Sequence, residues 1–185
     1  MELVAQAAVP ARAQRKGTVK TMDLLHSYWR MEYVTSPSSG DKGHENPFVK
    51  LPLMGDDRAA SILYRGKWCY LVLNIYPYNP GHILAIPYRE VADIEDLTND
   101  ERDELTALVV RAKRALRKVM HPDGFNIGMN LGSASGAGIP THLHMHIVPR
   151  WKGDCNFMCA IGNTRSLSEA LDKTWEKLKP ACNED

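Results

Sequence analysis

An antiparallel sheet of about five strands with one long helix and a C-terminal helix is the fold this sequence predicts, an α+β arrangement. Three observations carry the prediction. Thr98 and Glu101 have the spacing of a capping box, and Leu105, Leu108, Val109, Ala112, Leu116 and Val119 then recur at helical intervals with Arg and Lys between them. Short apolar runs separated by Gly, Pro and Asn occupy residues 61–87, as in a meander of strands. From Thr141 to Arg150, His142, His144 and His146 alternate with Leu143, Met145 and Ile147, a strict period of two. Such a period places successive side chains on opposite faces of a strand. The whole, at 185 residues, suits one compact domain with a sizeable core.

In chain order, residues 1–21 carry Arg12, Arg15, Lys16 and Lys20 with few large apolar residues, and read as a flexible tail ahead of a domain spanning 22–185. Met22 to Val34, with Tyr28 and Trp29, reads as a short helix or a lid. Ser36 to Gly43 is a loop by composition, and an apolar arm, Phe48 to Met54, follows Pro47. Ser61 to Tyr64 is the first strand, Arg65-Gly66-Lys67 its turn, and Trp68 to Ile75 the second strand. After the Pro77–Gly81 loop, His82 to Pro87 is a third strand, apolar enough to be central. The helix from Thr98 to Met120 is stopped by His121-Pro122-Asp123-Gly124. Phe125 to Leu131 alternates again, with Phe125, Ile127, Met129 and Leu131 on one face and Asn126, Gly128 and Asn130 on the other. A loop of small residues, Gly132 to Gly138, leads into the histidine strand, which Pro149 is expected to end. Leu167 to Leu178, started by Ser168, is the closing helix.

Composition narrows the function. A formal charge of +1 supplies no field that argues for nucleic acid or a membrane surface as partner. No apolar run approaches the ~20 residues of a membrane-spanning helix. The amino terminus lacks the basic start of a signal peptide and is interrupted by Gln6 and Pro10. Cys69, Cys155, Cys159 and Cys182 form no Cys-x-x-Cys pair, which points to reduced thiols in a cytoplasmic protein.

Three imidazoles on one strand face, roughly 6–7 Å apart by strand rise, would be costly without partners. Two chemistries use them. His-x-His on a strand can hold a metal, since imidazole is a common ligand. Alternatively, one imidazole is a nucleophile held by its neighbours. The adjoining loop favours phosphate, because successive N–H groups of a glycine-rich turn form an anion-binding concavity and Ser133 and Ser135 add hydroxyls.

The run from His142 to Val148, His-apolar-His-apolar-His-apolar-apolar, resembles the histidine-triad (HIT) superfamily of nucleotide hydrolases and transferases. Leu73 to Pro87 resembles the first half of that family's domain. Gly124 to Gly132 and Pro149 to Met158 are similar to its bacterial branch that includes the diadenosine tetraphosphate phosphorylases. The resemblance covers the chain from about Leu24 to Leu178. It implies a HIT-like nucleotide-binding catalytic domain that cleaves dinucleoside polyphosphates, as phosphorylase or hydrolase, through a covalent nucleotidyl-histidine.

On this resemblance His144 is the nucleophile, its tautomer set by a backbone carbonyl near the first histidine that accepts Nδ1–H. His142 and His146 contact phosphate and leaving-group oxygens, where imidazolium could offset developing charge. Ser133, Ser135, Gly136 and Gly138 cradle phosphates. Asn74 meets the ribose, where many relatives have aspartate, and Val72, Ile75 and Phe48 contribute to the base pocket. His82 and Asn130 line the site, and Trp151 either covers the nucleotide or packs in the core. No cofactor is required of the protein, though a divalent cation can accompany the polyphosphate. The family pairs two protomers into a continuous sheet, implying a homodimer; the amino-terminal extension and Tyr28-Trp29 could support a tetramer.

Two departures stand out. Many bacterial relatives carry Cys-x-x-Cys where this chain has Asn46-Pro47-Phe48-Val49, and bind structural zinc there; without thiolates no zinc is expected at that place. Ala137-Gly138 precedes Ile139 where related phosphorylases can carry a hydroxyl residue. A nucleoside phosphoramidate hydrolase would use the same residues, and a metal-dependent hydrolase would use the three histidines as ligands.

Overall fold

The computed structural model describes residues 46–154 and 169–184. The tail at 1–21, the segment with Tyr28 and Trp29, the 36–43 loop and Ser168 lie outside the described residues. Five antiparallel strands form one sheet: β1 (Ile62–Arg65), β2 (Cys69–Leu73), β3 (Ile83–Pro87), β4 (Gly124–Met129) and β5 (Met145–Arg150), in the order β1-β2-β3-β5-β4. Among the described residues three helices accompany them: a single turn, α1 (Pro47–Lys50), the long α2 (Asn99–Met120) and α3 (Leu171–Cys182). β3 is central and every one of its residues is buried, which is why it reads as an unbroken apolar run.

The two faces of the sheet do different things. Leu71, Leu73, Ile83, Ala85 and Ile147 point to one side, where Leu105, Leu108, Ala112 and Leu116 of α2 and Leu178 of α3 complete the main core. Met145 packs against the same cluster and Leu143 belongs to it, so the apolar members of the histidine strand enter the core together. Tyr70, Val72, Leu84 and Ile86 point the other way, under Phe48 of the α1 arm. Leu84 pairs with His146 across β3 and β5, which puts the imidazole on this second face.

α2 begins and ends as its sequence dictates. The Thr98 hydroxyl accepts from the Glu101 N–H, and the Glu101 carboxylate accepts from the Thr98 N–H at 2.8 Å. His121 closes the helix in the left-handed region at φ 48°, and Pro122 cannot continue it. The Arg89 guanidinium on the nearly buried Glu101 pulls that carboxyl down to about 2.

A second carboxylate of α2 fixes the β1–β2 turn. Glu104 accepts from the backbone N–H groups of Lys67 (2.8 Å), Trp68 and Cys69 (2.7 Å). Glycine is needed at position 66 because a Cβ there would lie 2.6 Å from Glu104 Oε1 and 2.8 Å from the Cys69 carbonyl. Charge-assisted bonds to backbone donors are strong, so Glu104→Ala is expected to destabilise the fold by roughly 2–3 kcal/mol. Urea denaturation checks this; a loss below about 0.5 kcal/mol would show that the turn holds without the clamp.

Several boundaries differ from expectation: β2 is Cys69–Leu73 rather than Trp68–Ile75, β4 is Gly124–Met129 rather than Phe125–Leu131, and α3 runs on to Cys182. β5 starts at Met145, so His142, Leu143 and His144 stand outside the ladder. The reason is visible in their bonds: Leu143 N–H goes to the Val91 carbonyl at 2.6 Å and the His142 ring goes to the Pro87 carbonyl. Pro149 does not end the strand; it sits opposite Phe125 inside β5. Its carbonyl accepts from Asn79 on the side that β3 has already vacated, so its missing N–H costs no ladder bond. α3 starts at Leu171 rather than Leu167, without a side-chain cap, and its Trp175 indole N–H donates to the Ile62 carbonyl.

β4 ends at Met129 and is an edge strand, with Ile127 44% exposed although Phe125 and Met129 on either side pack against the core. No helix among the described residues is long and apolar enough to cross a membrane. Cys69 and Cys182 are free and buried, and burial pushes both thiols up to about 12.

Candidate active site

Hydrogen bonds to groups with only one possible role assign the protons of this site. His144 Nδ1 lies 2.8 Å from the carbonyl oxygen of His142. A carbonyl only accepts, so Nδ1 carries the proton and Nε2 keeps its lone pair. His144 is buried, and burial lowers its pKa from the ordinary histidine value. A neutral ring with one basic nitrogen is the state that can attack phosphorus.

His142 is engaged at both ends. Its Nε2 donates to the Pro87 carbonyl at 2.9 Å, and its Nδ1 accepts from the Asn46 amide at 3.0 Å. Burial lowers the pKa of this ring too, which disfavours imidazolium. Both ring nitrogens of His142 are thus hydrogen-bonded within the protein. Sequence spacing equates the three histidines, whereas their hydrogen bonds separate them.

His146 is set by a fourth imidazole. The backbone N–H of Tyr78 donates to His82 Nδ1 at 3.1 Å, and the Asn74 amide approaches the same nitrogen at 3.3 Å. His82 Nδ1 is therefore an acceptor and its proton sits on Nε2, which donates to His146 Nδ1 at 2.9 Å. His146 in turn carries its proton on Nε2. The rings of His144 and His146 lie edge to face, with centroids 4.9 Å apart, and Phe48 packs on His142 and His144 at 5.6 and 5.1 Å. All three imidazoles thus share one side of the chain.

The remaining expected residues are distributed around this centre. Val72 is buried beside Phe48 in the second apolar cluster. Asn74 accepts from the Tyr76 N–H at 2.9 Å and, with Ile75, lines a groove whose far wall is Glu169, Leu171 and Thr174 at the start of α3. Ser133 and Ser135 form one exposed 3-10 turn between Gly132 and Gly136, whose φ angles of 75° and 81° call for glycine. The Ser135 hydroxyl donates to the Gly132 carbonyl at 2.7 Å. Gly138 and Asn130 are half-buried on the two sides of that turn. Trp151 goes elsewhere: its indole N–H donates to the Met120 carbonyl at the end of α2.

Reasoning from sequence missed Asn46 and the Pro87 carbonyl as partners of His142. Asn46 followed by Pro47 has the pattern of a helix cap, and that signal was available. The Pro87 carbonyl had none, because backbone acceptors leave no mark on side-chain identity.

The family described as HIT domain matches residues 57–153, from just before β1 to the turn after β5. An AP-4-A phosphorylase of Mycobacterium tuberculosis is 41% identical over 160 residues, covering 82% of each chain. A bis(5'-nucleosyl)-tetraphosphatase [asymmetrical] of Schizosaccharomyces pombe is 36% identical over 107 residues, 58% of this chain and 56% of the relative. Among solved structures, a zinc-bound histidine triad family protein of Mycobacterium smegmatis superposes with a TM-score of 0.59 at 26% identity, covering 73% of this chain and 90% of that one.

Proposed function

The chain belongs to the HIT domain family, and from that membership we propose that it cleaves dinucleoside polyphosphates by nucleotidyl transfer through His144. The observation that carries this reading is the 2.8 Å bond from His144 Nδ1–H to the His142 carbonyl, which leaves Nε2 basic. In the first step Nε2 forms a bond to an α-phosphorus. The bond from that phosphorus to the bridging oxygen breaks, and the nucleoside polyphosphate departs with the electron pair. His146, protonated on Nε2 through its bond to His82, is the group in the cluster able to stabilise charge on the departing oxygens. In the second step an oxygen nucleophile attacks the nucleotidyl-histidine, the phosphorus–nitrogen bond breaks, and neutral His144 is restored.

Phosphate is the second nucleophile in this proposal. Its support is the 41% identity, over most of both chains, to a protein named a phosphorylase. Diadenosine tetraphosphate incubated with the protein and phosphate is expected to yield ADP and ATP in equal amounts. AMP with ATP, unchanged by phosphate, would mean that water does the work; ADP without phosphate would mean symmetric cleavage.

The protein's own imidazoles need no resident cofactor in this scheme, and a divalent cation enters with the polyphosphate. Both nitrogens of His142 are already hydrogen-bonded, and the bond from His82 to His146 Nδ1 leaves the His146 proton on Nε2. That arrangement disfavours a metal held by the three rings. Two copies pairing through the exposed β4 edge form the homodimer of this reading, and the thiols of Cys69 and Cys182 suit a reducing cytoplasm. A monomeric mass in solution would remove the first of these.

A further inference from the structure

Asn46 sits at the start of α1, far in sequence from the histidines, yet its amide is committed on both sides. Its Oδ1 accepts from the Phe48 N–H at 2.9 Å, and a backbone N–H can only donate, so the amide orientation is set. Nδ2 is then the donor end, and it reaches His142 Nδ1 at 3.0 Å. One amide therefore caps α1, aims Phe48 at the rings of His142 and His144, and assigns the tautomer of His142.

We propose that Asn46 is a positioning residue for nucleotidyl transfer, acting on the nucleophile through His142. The His142 ring is gripped between the Asn46 amide and the Pro87 carbonyl. Gripping the ring fixes the residue that bears it, and the carbonyl of that residue is the one that orients His144. Loss of the Asn46 donor lets His142 Nδ1 take a proton, which changes the charge and the hold of the ring, and the carbonyl beneath His144 shifts with it. Asn46 touches no reacting atom, so substrate affinity is spared while the attack geometry loosens. This rests on the reading of His144 as nucleophile, although the state of the His142 ring can be measured without any substrate.

Asn46→Asp separates the two jobs of the residue. Aspartate caps a helix as well as asparagine does, but a carboxylate cannot donate to His142 Nδ1. With diadenosine tetraphosphate and phosphate, N46D is expected to lose about tenfold or more in kcat, with KM within about twofold. Its nitrogen-15 imidazole spectrum should show His142 Nδ1 protonated, whereas the wild-type ring shows Nδ1 as a bare acceptor and Nε2 protonated. The wild-type spectrum decides the matter even if N46D does not fold: a protonated Nδ1 there overturns the proposal. So does a folded N46D with wild-type kcat, since a cap alone would behave that way. A wild-type protein inert towards the dinucleotide, but with the expected ring spectrum, would instead sink the substrate reading and leave the Asn46–His142 link in place.

Discussion

His144→Ala is expected to lower turnover on diadenosine tetraphosphate by about 10⁴-fold or more, while nucleotide affinity stays within a few-fold of wild type. The substitution removes the ring nitrogen that, among the four described imidazoles of the cluster, the hydrogen bonds leave with its lone pair, the Nε2 opposite the 2.8 Å contact to the His142 carbonyl. Alanine leaves a space beside Phe48 but keeps the other rings and the loop after β4. Parallel measurements of kcat and of equilibrium binding check it, and a variant within tenfold of wild-type kcat would end the nucleophile assignment. The same assignment has a pH consequence. Attack needs neutral His144, and burial lowers its pKa below the ordinary 6.5. Neutral ring thus persists below that pH, and the acid limb of kcat/KM should have its midpoint under 6.5 rather than above it.

His82→Ala is expected to cost roughly 10²-fold in kcat, although His82 lies outside the triad. It removes the donor that keeps His146 Nδ1 an acceptor, and so releases the proton on His146 Nε2 to either nitrogen. It also orphans the Tyr78 N–H, which donates to His82 Nδ1. Glutamine separates these effects, because its amide nitrogen falls near the place of the imidazole Nε2 and can donate to His146. His82→Gln should therefore recover most of the rate lost by alanine. If alanine and glutamine variants were equally slow, the donor would not be what His82 supplies, and the relay would be wrong.

Much of this architecture is legible in the sequence because the physics behind it is local. The capping box of Thr98 and Glu101, the period-two apolar row Leu143, Met145 and Ile147, and the unbroken apolar run of β3 each dictate one element. The departures arise where a long-range partner outbids a local rule. His142 to His144 leave the ladder because Pro87 and Val91 offer carbonyls there, and Pro149 stays in β5 because β3 stops short of it. Within the site, alternation placed three imidazoles on one face but could not rank them. Their ranking depends on Asn46, Pro87 and Tyr78, whose contacts with the rings span from 4 to 96 positions along the chain. Trp151 shows the converse: its proximity in sequence to the triad says nothing about its partner, the Met120 carbonyl.

The chemistry itself is tested most directly by the stereochemical course at phosphorus. Diadenosine tetraphosphate made chiral at the α-phosphorus by sulfur substitution is turned over with phosphate, and the configuration of the resulting nucleoside diphosphate analogue is determined. Two successive in-line displacements, onto His144 and then off it, give retention. Inversion would mean that phosphate or water attacks the substrate itself, and that His144 never bonds to it.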